Sequence, residues 1–222
     1  MNKFVIMGVQ GCGKGTQAGL LKADYALVHI SVGDIFRWNI QTHTKLAARI
    51  NRIVASGQLV PDEIVEEIVR VRLNEQDWNY GFILDGFPRN RRQAEFFLES
   101  FDIDAVIHIE VADGVVLHRV LSRRLCSGCN LDYNLIHHRP AMEDRCDVCG
   151  SELISRPDDT EEVVLKRLED YHAKTEPILD LFRQKELVVT VNGGQSTEAV
   201  QAEMRLQLGE TLGTRKPART RS

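Results

Sequence analysis

Gly8, Gly13 and Lys14 fall at the G-x-x-x-x-G-K spacing directly behind an apolar run, Phe4-Val5-Ile6-Met7. A loop of small residues between a buried strand and a helix lets successive backbone N–H groups face one concavity. The helix that follows adds its partial positive charge, and the lysine adds a full one. The chemistry implied is the grip of a nucleotide's phosphates. The alternative is a glycine-rich turn with no ligand; the apolar strand directly upstream favours the phosphate loop. Gly15 separates Lys14 from the first hydroxyl, Thr16, where the general pattern has the hydroxyl next to the lysine.

A second acid-and-base grouping lies downstream. Gly81-Phe82-Ile83-Leu84 is an apolar strand that ends in Asp85 and runs into Gly86-Phe87-Pro88-Arg89. An acid at the carboxyl end of a strand, beside a phosphate loop, serves Mg²⁺. Without that loop the same aspartate would read as a turn cap. Residues 114 to 125 are predicted as a helix, with Arg119 and Arg123 four apart on one face and Arg124 beside them. Such arginines either answer the helix dipole or clamp transferring charge, and the sequence leaves both readings open.

Cys126-Ser127-Gly128-Cys129 and Cys146-Asp147-Val148-Cys149 are two C-x-x-C knuckles sixteen residues apart. Each offers two thiolates at a turn, and two knuckles close a tetrahedron around zinc. Two disulfides are the alternative, which a cytoplasmic chain disfavours; iron in place of zinc stays open. The stretch between has little helical period and reads as a small β insertion with almost no core, hence the need for a metal. His137 and His138 fall inside it and are read as solvent-facing, because four cysteines complete the site.

The elements that position these groups follow from periodicity. A helix runs on from Lys14; Val28-His29-Ile30 is a short strand; Ser31 caps a helix from Val32. Leu46, Ile50, Ile53 and Val54 line one face of a helix over 45–55 that Gly57 ends. Asp62 is expected to cap the next helix. Ala105 to Glu110 is a central strand, and Asp159-Thr160-Glu161-Glu162 is expected to form a capping box ahead of a long amphipathic helix. Leu187 to Val191 is the last strand, and a final helix is expected from about Thr197 to Leu208. Strand and helix alternate about five times with apolar strands, which predicts a three-layer α/β/α fold on a five-stranded parallel sheet. The chain has 222 residues and a formal net charge of −4. Residues 213–222 carry Arg215, Lys216, Arg219 and Arg221 and no acid, leaving −8 on residues 1–212. A net acidic body argues against nucleic acid or anionic membrane as the main partner. The basic tail is expected to be disordered. No signal peptide or membrane span is read, so the chain is expected to be cytoplasmic; it is also expected to be a monomer.

These motifs, in this order, resemble the adenylate kinases: Gly8 to Thr16, Ser31-Val32-Gly33-Asp34, Gly81 to Arg89, Arg119 with Arg123, Arg156-Pro157-Asp158-Asp159, and Lys166 to His172. The four-cysteine insertion is similar to the zinc-bearing lid of the long bacterial form. The resemblance implies ATP and AMP as substrates, Mg²⁺ with ATP, and structural Zn²⁺ on Cys126, Cys129, Cys146 and Cys149. It implies that Gly11, Cys12, Gly13, Lys14, Gly15 and Thr16, with Arg119 and Arg123, hold ATP, and that Asp85 positions Mg²⁺ through water. Val32, Arg37, Leu59, Val60, Gly86, Arg89, Gln93, Arg156 and Arg167 are the implied AMP site. Lys14, Arg89, Arg123, Arg156, Asp158, Asp159 and Arg167 are the implied catalytic set. It further implies a core over 1–30, 61–125 and 156–212, a monophosphate-binding segment over 31–60 and a lid over 126–155.

The chain departs from the family pattern at several points. Val32 replaces a common threonine at the acceptor base, Val9-Gln10 replaces Ala-Pro in the loop, Cys12 replaces a small alanine, and His137 stands where an aromatic is common near adenine. Gln93 favours AMP over the uridylate-cytidylate kinases, which carry asparagine there and lack the zinc lid. A zinc-knuckle nucleic-acid module is the alternative of another class. Cys12 is either a small filler or, in a cationic loop, a reactive thiol of lowered pKa.

Overall fold

The computed structural model describes residues 2–75, 80–185 and 187–215. Five strands, β1 (Lys3–Met7), β2 (Leu27–Ser31), β3 (Gly81–Asp85), β4 (Ala105–Glu110) and β8 (Val188–Asn192), form one parallel sheet in the order β2-β3-β1-β4-β8. Phe4, Val5, Ile6 and Met7 are all buried, because helices cover both faces of the sheet. One face packs on α1 (Lys14–Tyr25), α6 (Asp113–Leu121), α7 (Glu161–Asp170) and α9 (Thr197–Arg215) through Leu21, Val116, Leu168 and Met204. The other packs on α2 (Val32–Gln41), α3 (Lys45–Ala55), α4 (Asp62–Asn74), α5 (Arg91–Ser100) and α8 (Leu179–Arg183) through Phe36, Ile50, Val69, Phe97 and Phe182.

Strand order reverses at β1, which lies between β3 and β4. In an open parallel sheet the crevice at such a point, outside the carboxyl ends of the strands, is the natural ligand site. The register brings the pieces level there: Ile6 pairs with Asp85, and Asp85 with Ser31. The phosphate loop after β1 and the acid at the end of β3 therefore share one edge.

The insertion is a separate three-stranded antiparallel sheet, β6 (Asp132–Asn134), β5 (Arg123–Cys126) and β7 (Leu153–Ile154), in that order. Its core is four residues, Cys126, Tyr133, Cys146 and Leu153. That is too little apolar burial to hold a sheet unaided.

Local details correct the sequence reading. Helix α6 ends at Leu121, so Arg123 and Arg124 lie on β5 and Arg119 and Arg123 do not share a helix face. Periodicity ran through the junction because β5 continues the chain without a glycine or proline break. Asp62 is the first helical residue of α4, not its cap; Pro61 holds that place, and the Asp62 carboxylate reaches α5 instead. The capping box is half formed. The Thr160 hydroxyl accepts from Val163 N, while Asp159 turns away to an arginine. The long helix is broken after Asp170 by a wide turn over Tyr171–Thr175 and a tight one over Glu176–Ile178 that carries Pro177, as a proline without an N–H requires. The final helix runs past Leu208 to Arg215, so the first residues of the expected disordered tail are helical; residues 216–222 lie outside the described residues. Ser31 caps α2 as expected, accepting from Asp34 N.

Candidate active site

The loop itself shows why its residue types are needed. Gly8 has φ +148°, and a Cβ there would stand 2.6 Å from Ile109 O. Gly13 sits at φ +104° as the residue ahead of α1, with no side-chain cap. The first N–H groups of α1 are thus left for a ligand, the usual disposition of an anion-binding helix start. Lys14 Nζ donates to Gly8 O and Val9 O, each at 2.8 Å, which parks the ammonium over the mouth of its own loop. Gly15 and Thr16 are exposed.

Around the loop opens a cleft of about 820 Å³. It is lined by Lys14 and by six arginines, Arg37, Arg89, Arg119, Arg123, Arg156 and Arg167, together with Asp85, Asp158, Gly86, Val32, Leu59, Val60 and Gln93. The arginines come from α2, the β3–α5 turn, α6, β5, the segment after β7, and α7. No single element carries the clamp; the fold assembles it. Asp85 also lies 3.8 Å (Oδ2) from His29 Nε2.

Each arginine is aimed by a specific partner. Arg123 Nε donates to Asp159 Oδ2 at 2.7 Å and its Nη2 to Oδ1 at 2.5 Å. Arg167 Nη1 donates to Asp158 Oδ2 at 2.8 Å and to Gln10 Oε1 at 2.6 Å. Arg156 Nη2 reaches Asp132 at 2.7 Å. Arg119 Nη1 donates to Gly193 O at 2.9 Å, and Arg89 Nε to Gly86 O at 2.9 Å. Arg37 pairs with Asp34 one turn away. Arg119 Nε and Arg156 Nε are buried without a hydrogen-bond partner among the described residues.

The electrostatics follow from crowding. Burial, with Arg123 and Arg37 nearby, lowers the Arg156 pKa below the ordinary guanidinium value. Burial alone would raise Asp158, but the charge and hydrogen bond of Arg167, with the Arg37 charge, together outweigh it and hold the carboxyl below its usual range. Burial likewise opposes the Arg123 charge, and the hydrogen bonds and charge of Asp159 more than reverse this. Cations held this close repel, and a bound polyanion relieves them. That is the condition in which a desolvated positive site stabilises phosphoryl oxygens.

One part of the cleft lining combines apolar side chains with one amide. Val32 and Val60 are buried, Leu59 half-buried. Gln93, 1 % exposed, accepts from Arg89 N at 2.8 Å through Oε1 and donates to Asp62 Oδ1 at 2.7 Å through Nε2.

The four thiols of the insertion lie within 4.8 Å of one another, with Cys126–Cys149 at 3.3 Å and Cys129–Cys146 at 3.5 Å. A tetrahedron with metal–sulfur bonds of about 2.3 Å has edges near 3.8 Å, so the set fits zinc. The thiols cannot all ionise unaided. The Tyr133 hydroxyl bond brings Cys146 down to about 6, while Cys129, though a backbone bond at Leu131 favours its thiolate, is pushed up to about 12 by neighbouring thiols. A divalent cation would resolve that conflict. His137 and His138 are exposed, outside the thiol cluster, as expected.

Two expectations fare differently from the rest. Burial raises the Cys12 pKa; the nearby Lys14 only partly opposes it. Cys12 is 2 % exposed and packs in the core beneath the loop, so the reactive-thiol reading fails and the filler reading stands. Asp159 is buried behind Arg123 and does not line the cleft. Sequence reasoning missed the buried pair His108–Tyr171 under the loop, whose Nε2 and hydroxyl lie 3.0 Å apart. It also missed Gln10, which donates to Asp159 Oδ1 at 3.2 Å while holding Arg167. The only signal for Gln10 was its departure from the loop's usual proline.

The family profile "Adenylate kinase" matches residues 6–187. The adenylate kinase of Caldicellulosiruptor bescii is 43% identical over 212 residues, covering 93% of this chain and 99% of the relative. That of Caldicellulosiruptor saccharolyticus is 42% identical over the same length and shares. That of Acetivibrio thermocellus is 40% identical over 207 residues, 91% of this chain and 95% of the relative. With a family profile across most of the chain and relatives above 40% identity along nearly all of it, the chain belongs to the adenylate kinase family of phosphotransferases.

Proposed function

We propose that the cleft carries reversible transfer of the terminal phosphoryl group of ATP to AMP, giving two ADP. The observation that carries this reading is the convergence of the phosphate loop and six arginines from separate elements on one cleft with an apolar, amide-bearing end. Lys14, with Gly11, Cys12, Gly13, Gly15 and Thr16, holds the ATP phosphates chiefly through backbone N–H groups. Arg119 and Arg123 lie on the donor side. Val32, Leu59, Val60, Gly86 and Gln93 form the acceptor's base pocket, and Arg37 and Arg89 its phosphate seat. Arg156 and Arg167, aimed by Asp132 and by Asp158, face the transferring group.

The attacking oxygen belongs to a phosphate and is already anionic, so no general base is required. Alignment of the two nucleotides and neutralisation of equatorial charge supply the rate. Water must be kept out, because it competes as acceptor. Residues 126–155 would close over the donor as a lid, and residues 31–60 over the acceptor. Asp85, at the carboxyl edge beside the loop, would hold Mg²⁺ through water, and the ion would supply positive charge to the phosphates. Cys126, Cys129, Cys146 and Cys149 would hold zinc, which stiffens the lid. The same reading takes the protein as a monomer acting in the cytoplasm; among the described residues no helix is long and apolar enough to cross a membrane.

Two measurements test the reading. ATP is supplied with AMP, UMP, CMP or GMP and diphosphate formation is followed; AMP is expected to be preferred, and a preference for UMP or CMP would replace this reading with the pyrimidine one. Lys14→Ala is expected to lower kcat/KM by roughly 10²-fold or more, and near-full activity in that variant would remove the loop from the site.

A further inference from the structure

The Gln93 carboxamide is held from both sides. A carboxylate only accepts, so the atom 2.7 Å from Asp62 Oδ1 must be Nε2. A backbone N–H only donates, so the atom 2.8 Å from Arg89 N must be Oε1. Ordinarily the two ends of an amide are interchangeable; here two independent partners give the same answer. Asp62 is itself fixed. The same Oδ1 accepts from Asn90 Nδ2 at 2.7 Å, and Asn90 Oδ1 accepts from Gln93 N at 2.9 Å, so the Asn90 amide has one orientation too. Val32, also in the lining of the cleft, has no polar side-chain atom and is 1 % exposed.

We propose that Asp62 is a specificity-determining positioning residue: it locks Gln93 so that the pocket presents an acceptor and a donor in one fixed order and admits only purines carrying the complementary order. The inference rests on the reading of Gln93 as the group that meets the acceptor base. After its two internal bonds, Gln93 retains one lone pair on Oε1 and one hydrogen on Nε2. Adenine offers a 6-amino donor beside the N1 acceptor and satisfies both. A 6-oxopurine offers an acceptor beside an N1–H donor, so oxygen meets oxygen and N–H meets N–H. Turning the amide over would cure this in a free glutamine. Here it would set Oε1 against the Asp62 carboxylate and Nε2 against the Arg89 N–H, and buried mismatched polar groups are costly. With Val32 silent, this one amide carries the discrimination.

The wild-type protein supplies the first test. AMP, purine riboside 5′-monophosphate and IMP are compared as acceptors by kcat/KM with ATP. Purine riboside monophosphate lacks the 6-amino group and keeps the N1 acceptor, so it only loses one bond; IMP reverses the order. The expected ranking is AMP, then purine riboside monophosphate, then IMP, with AMP above IMP by roughly 10²-fold or more. IMP equal to or better than purine riboside monophosphate would show that the amide turns freely and would overturn the proposal. The second test is Asp62→Asn, whose side chain can donate or accept. One of the two conflicts then disappears, and the AMP/IMP ratio is expected to fall about tenfold with kcat/KM for IMP rising. An unchanged ratio, or a fall produced only by weaker AMP use, would mean that Asp62 is merely structural. If AMP is not the preferred acceptor of the wild type, the reading of the pocket fails, and the inference falls with it; if AMP is preferred and the IMP comparisons fail, only the lock is lost.

Discussion

Asp159 grips Arg123 with a two-pronged hydrogen bond, Nε to Oδ2 at 2.7 Å and Nη2 to Oδ1 at 2.5 Å, from a side chain that is 1% exposed. The pair ties the first strand of the insertion to the segment that leads back into α7. A planar guanidinium held on one edge has a fixed plane and fixed directions for its remaining N–H groups.

Asp159→Asn should therefore misplace Arg123 without removing its charge. A misplacement of about 1 Å in a transferring-group clamp costs on the order of 10²-fold in rate. The expected result is a fall in kcat of that order with a much smaller change in KM for ATP. Steady-state kinetics over both substrates checks it; a large KM change with kcat intact would assign the pair to nucleotide binding alone.

The lid metal should act on stability before it acts on rate. The insertion's own core is four residues, so removing the cation leaves close thiols and little apolar burial to hold β5, β6 and β7. One zinc per chain is expected by elemental analysis. Chelation is expected to lower the thermal midpoint, by about 2–4 °C for each kcal/mol of folding free energy lost in a chain of this size, and added Zn²⁺ to restore it. Cys126→Ser should reproduce the loss and abolish the response to chelator.

What could be read from the sequence, and what could not, divides by distance along the chain. The loop at 8–16, the acid at 85 and the cysteine knuckles are local patterns, each fixed by backbone geometry or ligand spacing within a few residues, and the structure places them where the spacing requires. The parallel sheet was legible because its strands are mostly apolar. The break at Leu121 was not, because the helix end is followed directly by strand β5, with no glycine or proline between them. Asp62 read as a cap because aspartate at a helix start usually is one; its reach to Gln93, 31 residues on, is a tertiary fact. The pairings of Arg167 with Gln10 and of Arg123 with Asp159, across 157 and 36 residues, are likewise decided only when the sheet brings α7 and the insertion to the loop.

Cys12 should resist alkylation in the folded protein. Its sulfur is in the core and burial raises its pKa, so thiolate is scarce at neutral pH and reagent cannot reach it. In folded, metal-loaded protein, iodoacetamide at pH 7.5 is expected to leave Cys12 unmodified by peptide mass analysis, and denaturant to expose it. Rapid ATP-protected labelling of Cys12 would revive the reactive thiol.

His108 should make the fold acid-sensitive. It is 5% exposed within β4, its Nε2 meets the Tyr171 hydroxyl at 3.0 Å, and its Nδ1 is buried without a partner among the described residues. Burial lowers its pKa; the nearby Glu110 and Glu176 only partly offset this, and Arg183 and Lys14 add to it. The native state thus keeps the ring neutral where the unfolded chain, with an ordinary histidine pKa of about 6.5, takes up a proton. The unfolded state binds more protons below that value, so stability is full above about pH 6.5 and falls as pH drops below it, until the folded-state pKa is reached. His108→Asn is neutral at every pH and can still reach Tyr171. It should cost some stability at pH 7.5 through lost packing, yet show a smaller drop than wild type between pH 6.5 and 5. Denaturant midpoints measured across that window decide it: parallel curves for the two proteins would place the acid sensitivity elsewhere.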